Sequence, residues 1–538
     1  MIRKRLSSAA NVAASSRAAL VIFRGFGTSS ATKQQVTGAV SSLDDKTPLP
    51  SSSAVKPTSE IPGPKRYPFV GSLLSVVFNK DFDKKRIHKT FHKMVEEYGP
   101  IVRFESPTYR PSVFLSDPRD CETVVRATME NPIREGFFSL HKVRRDSANK
   151  YFEGNCGLLV ENDEKWKRLR SRFQTPMLKP KNVSHYMEAM DEVTLEFMER
   201  IASLQKQHGE MPPDFQFELY KWASESVGLV ALNRRLGCLD PNISSDSEPM
   251  KLIQHINTIF DSLNECEHGV QLWRLYPTAS YKKLQKAHEE FLRIADQNIR
   301  QTEEALLSKT RTDEDENLTL MEELLLTPGL SRKDVVTLIL DMLFAGVDTT
   351  SHTIGFTLYL LAKNPNCQAK LQDEVDNVIG NHEGPLTPKH IAQMSYLKAV
   401  VKESFRVFPL TMGTVRTLEK DLVLSGYHVP KGWAAVLYGM GMGHDERNFP
   451  RAKEFIPERW LRHKPLGPIH PFSTFPFGLG TRMCIGRRIA EQELYTFLTR
   501  VMHRYSVSYQ YADIDILSRL VYVPSEPLRF SFSERRNN

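Results

Sequence analysis

The chain has 538 residues, 40% of them apolar and 25% charged, which excludes a disordered polymer and leaves enough apolar side chains for a large core. Its 28 glycines and 32 prolines are too few for a collagen-like protein, and no repeat of fixed period is found. The net charge is +8, but Arg3, Lys4, Arg5, Arg17, Arg24 and Lys33 all fall in the first 43 residues, where there is no acid; removing these six leaves +2, so no broad nucleic-acid surface is implied.

Residues 1–35 are basic and rich in Ser and Ala, the composition of a mitochondrial transit peptide. The apolar run Ala18–Phe23 is too short for a secretory signal, and no stretch of about 20 apolar residues is present to span a membrane. Residues 36–60 read as a flexible Ser/Thr/Pro-rich linker, and residues 61–538 as one large folded domain entered through Ile61-Pro62-Gly63-Pro64. The cysteines Cys121, Cys156, Cys238, Cys266, Cys367 and Cys484 form no C-x-x-C pair. Their spacing rejects a zinc ribbon or disulfide framework and suits a reducing compartment, with five of them as small buried hydrophobes.

Along the folded part, Ile87, Phe91, Met94 and Val95 share one helical face, and the helix is expected to end at Tyr98-Gly99-Pro100. Strands are expected at Ile101–Glu105 and Pro111–Ser116. Trp166 and Arg170 are i and i+4 on a helix, a spacing that by itself is ordinary surface cover. Ser331 through Lys363 predicts one helix, capped by Ser331 with Asp334, stopped at Asn364-Pro365, and roughly 50 Å long. At its centre is Ala345-Gly346-Val347-Asp348-Thr349-Thr350, where small residues open space beside a carboxylate and a hydroxyl; taken alone, this is a kink in a packed core. Glu403 and Arg406 are i and i+3 on a helix ending near Pro409, a pairing common on solvent-facing helices. Short strands are expected around Val415–Val429 and near the C-terminus.

The segment Phe477-Gly478-Leu479-Gly480-Thr481-Arg482-Met483-Cys484-Ile485-Gly486 carries the strongest chemistry. Its glycines allow a tight turn and close backbone approach to a flat ligand. Cys484 precedes a helix running from Arg487 to Arg500, whose N-terminus favours a thiolate. Such a thiolate is a metal ligand or a nucleophile, and no adjacent base is evident for the second role.

Phe477, Gly480, Arg482, Cys484 and Gly486 complete F-x-x-G-x-R-x-C-x-G, which resembles the haem-binding signature of the cytochrome P-450 superfamily. The resemblance covers residues 61–538. It implies a mainly α fold with small β-sheets, in which haem b (iron protoporphyrin IX) lies between the long central helix and the Cys loop. It further implies that Cys484 is the axial iron ligand, that Arg482 partners a propionate and that Phe477 packs beside the sulfur. Trp166, Arg170 and Arg416 resemble positions that reach the propionates. Asp348 and Thr349 resemble the oxygen-activating A-G-x-D-T-T element, a proton relay for O–O cleavage. Glu403 and Arg406, followed by Arg459 in Phe455-Ile456-Pro457-Glu458-Arg459-Trp460, imply a buried network bracing the loop under the haem.

Leu397–Glu403, Cys484–Glu491 and Arg235–Leu239 are similar to the mitochondrial branch of that superfamily. The branch implies electrons from an iron–sulfur ferredoxin with an NADPH-dependent reductase. Lys398, Lys402, Arg487 and Arg488 are the basic residues expected to dock the ferredoxin; on spacing alone they are solvated charges. No G-x-G-x-x-G follows a strand, so no nicotinamide or flavin domain is expected. The expected reaction is hydroxylation of a lipophilic small molecule, sterol-like, steroid-hormone-like or xenobiotic, with O2, by a protein peripheral to the matrix face of the inner membrane. Phe344, Ala345 and Leu410–Val415 are expected to line an apolar pocket. The other classes are a haem-thiolate peroxide isomerase, against which Asp348 and Thr349 argue, and a non-catalytic haem-binding protein.

Overall fold

The computed structural model describes residues 55–535, apart from 148–150, 153, 209–210, 269–270, 309–317 and 383. The transit-peptide reading of 1–35 and the linker reading as far as residue 54 lie outside the described residues. The last residues assigned above to the linker are paired to the fold: Lys56 N donates to Gly426 O at 3.0 Å, and Thr58–Glu60 forms a 3-10 turn.

Helices of twelve or more residues, in chain order, are α1 (Ile87–Tyr98), α2 (Asp163–Leu178), α3 (Met187–His208), α4 (Phe215–Leu232), α5 (Glu248–Glu267), α6 (Ala279–Ser308), α7 (Arg332–Lys363), α8 (Pro365–Ile379), α9 (Ser395–Val407) and α10 (Arg487–Arg504). The strands are β1 (Ile101–Ser106), β2 (Tyr109–Leu115), β3 (Thr414–Thr417), β4 (Leu422–Leu424), β5 (Tyr427–Val429), β6 (Ala434–Leu437), β7 (Tyr505–Ser508), β8 (Ile516–Arg519), β9 (Val521–Pro524) and β10 (Ser531–Glu534). Among the described residues, one sheet is four-stranded, in the order β1-β2-β6-β3 with β2 and β6 parallel, and the other strands form three antiparallel pairs. No described helix is long and apolar enough to cross a membrane.

Local chemistry explains these boundaries. α1 buries Phe91 and Met94 and stops at Gly99, whose φ of 99° no β-carbon tolerates easily. β1 and β2 run closer to their turn than expected because Ser106 pairs with Tyr109. Ser331 and Asp334 form the capping box of α7, and Pro365 occupies the first turn of α8, where its missing N–H costs nothing. α7 is buried along almost its whole length and packs beside α4, α9 and α10.

The central helix is continuous through Ala345–Thr350, with no break at the small residues. Gly346 serves interhelical packing instead: a β-carbon there would lie 2.9 Å from Val227 Cγ2 on α4. The space opened by the small residue is filled by a neighbouring helix.

The Glu403–Arg406 pair, whose spacing alone suits a solvent face, is entirely buried, with both side chains at 0% exposure. Glu403 Oε1 accepts from Arg406 Nη2 at 2.7 Å, Arg459 Nε at 3.0 Å and the Ile456 amide at 2.9 Å; Oε2 accepts from Arg406 Nε at 2.9 Å and Trp460 Nε1 at 2.8 Å. The remaining Arg406 donors reach the carbonyls of Gly443, Ala452 and Glu454. One carboxylate therefore ties α9 to the segment 443–460. α9 in turn supports the Cys loop through Phe405, whose ring meets Phe477 edge-on at 5.2 Å.

Two stability measurements check this account. Glu403→Gln should lower unfolding stability by about 3–5 kcal/mol, because it leaves two guanidiniums buried without their anion; a loss below about 0.5 kcal/mol would match only an exposed pair. Gly346→Val should cost about 1–3 kcal/mol by overpacking, and Val227→Ala should recover part of that loss in the double variant.

Candidate active site around Cys484

The Cys loop turns back on itself through two left-handed glycines, Gly478 (φ 75°) and Gly480 (φ 68°), and Cys484 N donates to Phe477 O at 2.7 Å. Gly480 also faces Val125 and Met129, 3.4 and 3.2 Å from where a β-carbon would lie. Gly486 has an ordinary φ of −85° and forms the N-cap of α10; a β-carbon there would sit 4.0 Å from the Cys484 sulfur. That is ordinary van der Waals contact, so neither its backbone nor crowding at the sulfur demands a glycine here.

Of the six cysteines, only Cys484 has an exposed side chain, and all six are free thiols. The sulfur is solvent-reachable yet closely surrounded by protein. Desolvation pushes its pKa up, outweighing the Gly486 amide, Arg170, Arg134 and Arg487, which pull it down. The helix N-terminus thus acts in the expected direction but is not sufficient. A coordinated metal ion supplies the remaining stabilisation wherever a thiolate is a ligand.

Four guanidiniums cluster at the Cys loop, of which Arg170 and Arg134 act on the sulfur itself. Arg482 Nη1 donates to Asn162 Oδ1 at 2.8 Å and Pro132 O at 3.3 Å, and Nη2 donates to Glu161 O at 2.6 Å. Arg170 Nη1 donates to Met483 O at 2.8 Å, Arg416 Nη2 to Leu479 O at 2.9 Å, and Arg134 Nη2 to Leu159 O at 2.9 Å. The Trp166 ring lies under Arg482, 4.9 Å from Cζ. Among the described residues, none of the four makes an ion pair with a carboxylate. Arg170 Nε and Arg482 Nε are buried without any partner. Burial, then the neighbouring Arg134, Arg416 and Arg170, pull Arg482 down to about 8; burial and Arg134 pull Arg416 down to about 10. Unpaired buried cations are costly, so this cluster is built to receive an anion.

On the facing helix α7, Thr349 Oγ1 donates to Ala345 O at 2.7 Å. Asp348 is fully buried. Its Oδ1 accepts from Tyr220 on α4 at 3.1 Å and from Arg519 on β8 at 3.4 Å, while Oδ2 accepts no hydrogen bond and lies 3.5 Å from His352 Nδ1. Burial pushes its pKa up, but His352, Arg519 and the Tyr220 hydroxyl together hold it below the usual carboxylate value. The next residue, Thr350, turns to α10 and donates to Glu493 at 3.1 Å; burial pushes that carboxyl up to about 8. Phe344, expected in the pocket lining, stacks on Phe260 of α5 with ring centres 4.5 Å apart.

The four basic residues expected at a docking surface differ in exposure. Lys402 and Arg488 are exposed. Lys398 is half-buried with Nζ on Ala392 O at 3.0 Å, and Arg487 pairs with Glu491 at 2.9 Å with its guanidinium over Phe477. Sequence reasoning missed Arg134, Asn162, Tyr220, His352, Arg519 and Glu493. Of these, only His352 carried a local signal, being i+4 from Asp348; the others join the site across more than a hundred positions or from aperiodic loops.

Comparison with known proteins places this geometry. Residues 61–532 match the cytochrome P450 family. The probable cytochrome P450 49a1 of Drosophila melanogaster is 35% identical over 518 residues, covering 92% of this chain and 86% of that protein. The probable mitochondrial cytochrome P450 301a1 of the same fly is 32% identical, covering 89% and 87%. Cytochrome P450 CYP12A2 of Musca domestica is 33% identical, covering 90% and 92%. With its thiol loop, its unpaired arginines and its central helix all lying within the matched span, the chain belongs to the cytochrome P450 family.

Proposed function

We propose that this monooxygenase, whose family takes haem b as cofactor, works in mitochondria on a lipophilic substrate of sterol, steroid-hormone or xenobiotic type, hydroxylating it with O2. Its electrons come from an iron–sulfur ferredoxin served by an NADPH-dependent reductase. The observation that carries the reading is one accessible sulfur on a loop lined by three buried guanidiniums, Arg170, Arg416 and Arg482, and the half-buried Arg134, none with a carboxylate partner among the described residues. Haem b is a flat apolar ring carrying two propionates, and this donor set fits it.

Cys484 Sγ would hold the iron, and Arg134, Arg170, Arg416 and Arg482 would hold the propionates, Arg482 braced by Trp166. Phe477 would pack beside the sulfur on the loop shaped by Gly480 and Gly486. Thiolate-held haem supplies the reductive activation and cleavage of O2. The chain supplies protons and exclusion of water. Asp348 Oδ2, free of hydrogen bonds within the protein, is the atom that takes up and releases a proton. The Thr349 hydroxyl, anchored on Ala345 O, orients what it meets. Asp348 is held ionised by its neighbours, so it gives up each proton readily.

Several relatives carry "mitochondrial" in their names, which agrees with the basic, acid-free N-terminal composition. Lys402 and Arg488 stand exposed on α9 and α10, the helices that flank the Cys loop, with Lys398 and Arg487 beside them; a basic patch there steers an acidic donor protein. Phe69 is 98% and Leu275 84% exposed, with Phe78 and Tyr276 also outside the core. Such bare apolar side chains support peripheral contact with the matrix face of the inner membrane.

The test is reconstitution with ferredoxin, its reductase and a panel of sterols and xenobiotics. The holoenzyme should show a thiolate-type reduced carbonyl spectrum that Cys484→Ala abolishes; a normal spectrum in that variant refutes the ligand assignment. Turnover without ferredoxin, on peroxides alone, would favour the isomerase reading. Lys402→Glu with Arg488→Glu should leave the spectrum intact while raising the KM for ferredoxin on the order of tenfold, less at high salt. Unmoved donor kinetics would remove the docking assignment.

A further inference from the structure

Arg519 closes the β8 side of a hairpin whose far side begins at Val521, and it is the charged group common to three elements. Its Nη1 donates to the Tyr220 hydroxyl of α4 at 3.2 Å and to Asp348 Oδ1 of α7 at 3.4 Å. Nη2 donates to both the carbonyl and the side-chain oxygen of Asn257 on α5, each at 2.8 Å. Nε bonds Asp261, one turn further along α5. The guanidinium also lies 5.9 Å from the Phe260 ring centre, and Phe260 stacks on Phe344 of α7. Every face of the group is spoken for.

The hairpin does not adopt this shape for nothing. Leu520, at its turn, has φ 58°, a conformation that costs a leucine of order 1–3 kcal/mol and persists only where neighbours over-determine it. The neighbour here is again α5, because Leu520 N donates to Asn264 Oδ1 at 3.0 Å. Three consecutive turns of α5, through Asn257, Asp261 and Asn264, therefore hold the hairpin tip where Arg519 reaches Asp348. If α5 lifts, the strained turn loses its support and the guanidinium withdraws.

We propose that Arg519 is a positioning residue for the proton relay: it fixes Asp348 directly and through the Tyr220 hydroxyl, and it makes that placement conditional on α5 being seated. The inference rests on the assignment of Asp348 as the relay carboxylate. Asp348 is faced by Tyr220 from α4, by His352 on its own helix and by Arg519 from β8, with Asp261 of α5 on the far side of the guanidinium. Arg519 is thus the cation brought to Asp348 by another element. Its removal weakens the preference for the carboxylate form, and proton delivery then fails on acidification at a higher pH.

The experiment compares Arg519→Gln, Arg519→Lys, Asp348→Asn and the Arg519→Gln/Asp348→Asn double variant in the haem-loaded, ferredoxin-driven enzyme, with hydrogen exchange of α5 and the hairpin measured in parallel. Arg519→Gln should lower product formed per electron pair about tenfold, with the balance appearing as hydrogen peroxide, and move the acid limb of the product pH profile up by about one unit. Exchange should accelerate at the amides of 257–264 and 516–524. Arg519→Lys should recover part of the coupling, and the double variant should be no worse than Asp348→Asn. Unchanged coupling, an unmoved acid limb and unchanged exchange in Arg519→Gln overturn the proposal, as does strict additivity in the double variant. If Asp348→Asn itself stays fully coupled, the relay assignment is what fails. The tie from α5 to the hairpin then stands or falls on hydrogen exchange alone.

Discussion

Mutual repulsion among Arg134, Arg170, Arg416 and Arg482 is the constraint around which the rest of the molecule is arranged. Each guanidinium arrives from a different part of the chain: a loop before residue 138, helix α2, strand β3 and the Cys loop itself. Backbone carbonyls of Leu159, Glu161, Leu479 and Met483 satisfy some of their donors but bring no full negative charge. A folded chain that concentrates positive charge in this way favours a bound anion. Cofactor capture and folding are then linked, since whatever binds the native site but not the unfolded chain stabilises it.

The two sides of the site are held by different kinds of interaction. Under the Cys loop, Glu403 is saturated by Arg406, Arg459, Trp460 and the Ile456 amide, and the three charged side chains are all buried. That arrangement is stiff, because moving any member strands a buried charge. On the α7 side, Asp348 keeps one oxygen free, and its cationic partner reaches it from a hairpin steadied by α5. The carboxylate bracing the Cys loop is thus saturated, whereas the one on α7 is not.

Much of this was legible in the sequence wherever the signal was local. The Cys loop, the Ser331 capping box, the extent of α7 and the first helix follow from spacing and turn chemistry within a dozen residues. The fold class came from the motif resemblance, and the family match supports it. What the sequence hid were partners brought together by the tertiary fold. Tyr220 and Arg519 meet Asp348 across 128 and 171 positions, and no periodicity encodes such a meeting. Gly346 was legible only in part: a missing side chain signals close approach, but not which neighbour approaches, and here it is Val227. The Glu403–Arg406 spacing was equally silent about depth, since i and i+3 pairs look alike on a wet surface and in a dry core.

The parallel pairing of β2 with β6 carries its own implication for how the polypeptide reaches this state. Ser112–Leu115 can find Ala434–Leu437 only after more than three hundred intervening residues have been made, and β3, which bears Arg416, docks on β6 in turn. Contacts of such long sequence separation are slow to form. The early segments emerge long before their partners exist and leave β2 with an unpaired edge throughout synthesis. A chain of this design has a prolonged interval with an open strand edge before the sheet closes, and any C-terminal shortening that removes β6 takes the Cys484 loop with it as well as the sheet.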